Sequence, residues 1–304
     1  MGPIPRRQFA RTALGALGAA MLTAPAAAQQ KPAMGLPTVR WGKHDISRLL
    51  VGHNPIKGVS HYSAELSQEM RQWFAADPAR ARQLLRRCEQ LGINTCQMGG
   101  PEIEKLLQAY WAEGGRLQWI ATFYSTPGRG DEELARILRM TPRPIGIQQH
   151  GNVTDRLMRE GQIDRCLENL KRFRDAGVLV GLCSHNHEVI DYAEQKGWDV
   201  DFYQCSFYRV GFGLRPASGE AFEAFDDRSR LSMVKTVRQV SKPCLVFKVL
   251  AANRHCGSPA AVEAALRFAL ENIKPTDAVL LGMWQKYKDQ VAENVGYARR
   301  ILGL

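Results

Sequence analysis

The chain has 304 residues, 45% of them hydrophobic and 23% charged, ordinary values for a globular protein. That composition excludes a disordered chain, a collagen-like chain and a small disulfide scaffold, and the length is enough to bury a large core. Lys and Arg number 41 against 30 Asp and Glu, a formal net charge of +11, yet the basic residues are scattered with no aromatic-interleaved stripe, so nucleic acid is not the expected partner.

Residues 1–28 read as an export signal. Arg6-Arg7-Gln8-Phe9 precedes an acid-free run of mostly small and apolar residues over 12–24, and Ala26-Ala27-Ala28 supplies small residues for cleavage. This is the pattern of a twin-arginine (Tat) signal, with Pro5 where Ser or Thr is usual. The expected partner is therefore the Tat export machinery, and the expected location periplasmic or secreted. The apolar run is too short and too rich in Gly and Ala for a permanent membrane anchor, and no later stretch approaches ~18 apolar residues. Residues 29–44 read as a polar leader.

From residue 45 onward, strands and helices alternate. Short apolar runs at 49–51, 94–97, 117–124, 145–149, 178–183, 202–206, 244–250 and 278–281 read as strands. Near-continuous apolar character is what parallel strands covered on both faces require. Amphipathic helices fall between them. Over 78–91, Ala81, Leu84, Leu85 and Cys88 share a face, and 163–176 and 260–272 repeat the pattern, the last with Ser258 as cap and Pro259 in the first turn. Eight such units over 45–304 predict a single α/β domain, a (β/α)8 TIM barrel, whose usual size is ~250 residues. An open doubly wound sheet would want a G-x-G-x-x-G turn, which residues 52–58 lack. The seven Cys form no close pair, and Cys183, Cys205 and Cys244 lie within strand runs, where small buried hydrophobes are expected.

In a barrel of this kind the active site lies at the C-terminal strand ends. Those ends carry His53, Gln97, Tyr124, His150, His185 with His187, Tyr208, Lys248 with Arg254, and Trp284. All the histidines except His44 fall in or beside these loops. Converging imidazoles would bind a divalent metal, with His53, His185 and His187 as ligands; otherwise they are hydrogen-bonded loop residues. Acidic residues are scarce here, Asp155, Glu188 and Asp226-Asp227 being the nearest. That scarcity argues against carboxylate-bridged metal sites and against a glycosidase. Lys248 within an apolar run suits a Schiff-base or anion-holding role, or an internal ion pair. Asn253-Arg254 follows where a ligand phosphate or carboxylate would be held.

Several segments, in order, resemble the aldo-keto reductase family: Leu91-Gly92-Ile93-Asn94, Gln149-His150-Gly151, Asp201-Phe202-Tyr203-Gln204 up to Tyr208, and the closing run 265–294. The resemblance implies a barrel oxidoreductase that uses NADP on a small polar carbonyl or sugar-like substrate, with Gln204, Asn253 and Arg254 contacting the cofactor. His150 matches the family's histidine at the barrel mouth. The family's Asp is replaced by Gln97 and its Lys by Phe123, and no Tyr follows Gln97. His150, Tyr124 and Lys248 are thus the expected catalytic set. NADPH is recycled in the cytoplasm, so an exported enzyme would have to retain it. The alternatives are a metal-dependent barrel hydrolase or lyase working from the histidine-rich mouth, and a non-catalytic barrel that binds a ligand.

Overall fold

A computed structural model describes residues 35–209 and 225–304. The expected export signal lies outside the described residues. Strands β1 (Thr38–Trp41) and β2 (His44–Ser47) form an antiparallel hairpin. Eight parallel strands follow: β3 (Leu49–Gly52), β4 (Thr95–Met98), β5 (Gln118–Phe123), β6 (Gly146–Gln149), β7 (Leu179–Ser184), β8 (Phe202–Ser206), β9 (Cys244–Phe247) and β10 (Ala278–Gly282). They close in chain order, and β10 meets β3 along Val279↔Leu49 to Gly282↔Gly52. The expected single (β/α)8 barrel is the one observed.

Helices α1 (Ala64–Ala75) and α2 (Ala79–Gln90) separate β3 from β4. In chain order α3 (Pro101–Ala112), α4 (Asp131–Leu138), α5 (Gly151–Arg159), α6 (Cys166–Asp175), α7 (His187–Gln195), α8 (Asp227–Gln239), α9 (Pro259–Asn272) and α10 (Gln290–Ile301) follow. The predicted face of α2 is the buried one, with Ala81, Leu84, Leu85 and Cys88 packing inward; in the face expected over 163–176, Cys166, Leu170 and Phe173 are buried but Leu167 turns to solvent. Ser258 caps α9 by accepting from Ala261 N, with Pro259 in the first turn, as its sequence foretells.

Apolar packing falls into two sets. The larger lies between the strands and the helices. The smaller lies inside the barrel, where Leu50, Ile120, Phe202, Leu245, Ala278 and Leu280 meet Trp41 and Ile46 of the hairpin. Trp41 is 1% exposed, stacks on Phe202 at 5.2 Å and donates from Nε1 to the Thr276 carbonyl at 2.9 Å. At Gly181 a Cβ would lie 2.3 Å from Phe202 Cζ, so only glycine admits that ring. The stretch 29–44 therefore departs from a mere polar leader: within its described part β1 and Trp41 stopper the barrel. Its short strands carry Arg40, Lys43, His44 and Asp45 on the outside, which hides the one buried anchor in the sequence.

Next along the barrel axis lies a polar layer. Gln97 of β4, Thr122 of β5, Gln148 of β6 and Gln204 of β8 are all buried. Gln97 donates from Nε2 to Thr122 Oγ1, and Gln204 Nε2 reaches Gln97 Oε1 at 3.5 Å. Strands β4 and β8 are not neighbours, so that contact runs across the interior.

One strand is shorter than its apolar run suggests. β9 ends at Phe247, and Lys248 follows at φ 60°, with Ala251, Ala252 and Asn253 also left-handed. Lys248 is thus a residue of the mouth and not of a strand interior. Left-handed backbone turns the chain out of the sheet while its side chains stay apolar. All seven cysteines are free thiols, and all but Cys256 are buried.

Candidate active site

The C-terminal mouth gathers His53 after β3, Tyr124 after β5, His150 after β6 and His185 after β7. Tyr124 is aimed by Glu133 of α4, whose carboxylate accepts from the backbone N–H groups of Tyr124 and Ser125, both at 2.9 Å. The Tyr124 hydroxyl meets His53 Nε2 at 3.2 Å, and its ring lies 4.8 Å from the His150 ring. Lys57 places Nζ 5.6 Å from the centre of the Tyr124 ring. Burial, with Glu133 nearby, pushes the Tyr124 phenol up, so it stays protonated.

His150 is the N-cap of α5: its Nδ1 accepts from Asn152 N at 3.2 Å. A ring that accepts on Nδ1 carries its proton on Nε2. Burial, reinforced by His185, lowers its pKa to about 4. His53 falls to about 3, first through burial and then through Lys57. Both imidazoles are therefore neutral at neutral pH. The Gln97 backbone also meets the buried His53 ring and works against that fall.

His185 differs from the other two. Its Nδ1 lies 2.8 Å from Asp155 Oδ2, and both residues are buried, at 8% and 6% exposure. Asp155 belongs to α5. Its Oδ1 accepts from Ser184 Oγ at 2.5 Å and from the His185 backbone N–H at 3.2 Å. A carboxylate that accepts holds the imidazole as the Nδ1–H tautomer, which puts the basic lone pair on Nε2. Gly151 makes room for the ring: a Cβ there would stand 3.0 Å from His185 Cε1 and 3.1 Å from Cys183 Sγ. Phe247 packs edge-on against His185 at 5.3 Å.

The remaining predicted residues go elsewhere. His187 opens α7 and turns to Asp191 Oδ2 at 3.2 Å, so it does not join His53 and His185. Among the described residues no group of three or more His, Cys, Asp or Glu side chains is placed to hold a metal ion. His187 thus parts from His53 and His185, because Asn186 caps α7 and swings His187 off the strand direction. Lys248 stands at the rim, 5.5 Å from the Phe225 ring and close enough to disfavour protonation of His150. Arg254 donates from Nη1 to the carbonyls of His61, Ala251 and Ala252, which fastens two rim loops together. Asn253 sits beside it in a left-handed turn. Gln204 lies in the inner polar layer. Of the three residues expected around a nicotinamide nucleotide, Asn253 and Arg254 thus stand at the rim and Gln204 in the interior. Tyr208 is tied to Asp227 Oδ1 at 2.8 Å and His255 Nε2 at 2.9 Å, away from the four-residue cluster.

Sequence reasoning missed the pairing of Asp155 with His185, the place of Lys57 and the polar layer. The signal for Asp155 was present: it lies four residues after Gly151, one turn along the same helix face.

No family model matches the chain, and no curated protein matches it. Solved structures do. A thermostable aldo-keto reductase in complex with the inhibitor epalrestat is 12% identical, covers 86% of this chain and 93% of its own, and gives a TM-score of 0.53. A truncated 3-deoxy-D-arabino-heptulosonate 7-phosphate synthase from Thermotoga maritima is 10% identical, covers 88% and 92%, and gives 0.50. One is named a reductase and the other a synthase. Similarity at this level establishes the barrel, and barrels carry many chemistries.

Proposed function

We propose that the mouth is the active site of an enzyme that moves a proton next to a carbonyl group of a small polar substrate, the step shared by isomerases, epimerases and lyases. His185 takes the proton from carbon on Nε2, and Asp155 stabilises the imidazolium that forms. The electron pair of the C–H bond moves toward the carbonyl oxygen. That oxygen is met by the Tyr124 hydroxyl and by the neutral His150 Nε2–H. Lys57 adds positive charge nearby. A neutral imidazole held at a helix N-terminus is a known form of such a donor. His185 then returns the proton to the neighbouring carbon, or a leaving group departs.

The buried Asp155–His185 pair carries this reading. A carboxylate and an imidazole fixed together on the inner wall, beside a neutral histidine and a protonated phenol, give a base and two donors in one cup. The test is deuterium exchange into D-xylose, D-glucose and dihydroxyacetone in D2O, followed by proton NMR. The wild type should catalyse exchange, His185→Ala should abolish it, and Asp155→Asn should slow it by roughly 10²-fold or more. Variants that exchange as fast as wild type would defeat the assignment.

Carbonyl reduction is the second reading. It is favoured by the contact of Tyr124 with His150 and by Lys57 over the Tyr124 ring, the residue types a proton donor to a reduced carbonyl needs. Consumption of NADPH with the same carbonyl compounds separates the two. Export is proposed on Arg6-Arg7 alone: Arg6→Lys with Arg7→Lys should keep the precursor in the cytoplasm, and undiminished export would refute it.

A further inference from the structure

The polar layer inside the barrel is incompletely satisfied. Among the described residues Gln148 Oε1 and Gln204 Oε1 are buried without a hydrogen-bond partner, and their residues are 1% and 4% exposed. Their amide nitrogens make only long contacts, each at 3.5 Å, to Thr122 Oγ1 and Gln97 Oε1. Unpaired buried polar atoms are rare, because each loses its bond to water without a replacement. The two glutamine oxygens lie on inward positions of β6 and β8, under the proposed catalytic cluster. Gly282 at the end of β10, beside the β10–β3 seam, is exposed.

We propose that this layer is the recognition floor for hydroxyl groups, and that the substrate is a polyhydroxylated, uncharged carbonyl compound whose hydroxyl-bearing end points down the barrel axis. The inference rests on the mouth being the active site. Amide oxygens accept and do not donate, so the group that satisfies them must bring a hydrogen. A hydroxyl donates and accepts, and it matches a glutamine amide in either orientation. A carboxylate has no hydrogen to give at neutral pH, and a carboxylate or phosphate would set its negative charge against two carbonyl dipoles in a closed interior. With the hydroxyl end on the floor, the carbonyl end lies level with Tyr124, His150 and His185. The cations Lys57 and Lys248 then face the reacting oxygen and not a charged substrate tail.

The probe is xylitol, which carries the hydroxyls and has no carbonyl to react. Binding is measured by calorimetry on wild type, Gln148→Met, Gln204→Met and His185→Ala. Methionine keeps the volume and removes the amide. Wild type and His185→Ala should bind xylitol, and each methionine variant should bind it at least about tenfold more weakly, since one hydrogen bond contributes on the order of 1 kcal/mol. A crystal soaked in xylitol should place hydroxyl oxygens within hydrogen-bond distance of Gln148 Oε1 and Gln204 Oε1, which serves if a variant fails to fold. The proposal is overturned if wild type does not bind xylitol, if both methionine variants bind it unchanged, or if the soaked layer holds ordered waters only. Deuterium exchange that persists in the methionine variants with unchanged kcat/KM would remove the floor and leave the proton-transfer reading standing. Xylitol held by the layer in a protein that exchanges no protons would do the reverse.

Discussion

Replacing His150 with Asn should make the protein less sensitive to acid. The imidazole titrates near 6.5 when unfolded and at about 4 in the folded protein. Between those values the unfolded chain binds more protons, so stability falls as pH falls. By about pH 4.5 the unfolded imidazole is fully charged and the folded one mostly is not. Integrating the difference gives up to about 2.5 kcal/mol of stability lost between about pH 7.5 and about pH 4.5 through this one residue. Asparagine is a good N-cap and can still accept from Asn152 N, so the helix start survives while the titration disappears. The assay is urea unfolding at both pH values for wild type and His150→Asn. Wild type should lose about 2–3 kcal/mol more than the variant on acidification. Equal losses would show that His150 is not held neutral by its surroundings, and the electrostatic account of the mouth would fail with it.

Other outcomes follow from the same geometry. Gly151→Ala puts a methyl 3.0 Å from His185 Cε1 and should cost about 1–3 kcal/mol in denaturant unfolding; no loss would mean the ring is not confined. Trp41→Ala empties the barrel's lower end and removes a bond to the Thr276 carbonyl. A cost of about 3–5 kcal/mol is expected, and less than 1 would show that the hairpin is dispensable. Of seven free thiols only Cys256 is not fully buried. A disulfide reagent should modify no more than that one rapidly in the native protein and all seven in denaturant; several fast thiols without denaturant would contradict the packing.

The barrel was legible because its strands are buried on both faces, and a two-sided burial writes itself as apolar runs. The same runs concealed the polar layer. Gln97 and Gln204 each interrupt a run by a single residue, Gln148 stands beside Gln149, and nothing in one strand tells that the others point to the same axis. Lys248 was misplaced because apolar residues continue past Phe247, while the left-handed turn that ends β9 has no glycine to announce it. His185 and His187 look equivalent in sequence, two residues apart. A strand would set them on one face, but β7 stops at Ser184 and Asn186 starts a helix, so they part. Asp155 and His185 are separated by 30 residues, and the packing of α5 against the neighbouring strand β7 joins them.

The seam between β3 and β10 has a bearing on biosynthesis. Leu49 pairs with Val279, so the earliest barrel strand waits for the latest one before its free edge is covered. A nascent chain emerging from the ribosome carries that edge open through nearly the whole of translation. Such an edge invites wrong partners. Closure demands a contact of very long sequence separation, which slows folding. Chaperone shielding during synthesis, and sensitivity to truncation near the C-terminus, are the natural correlates of a ring whose last stave locks the first.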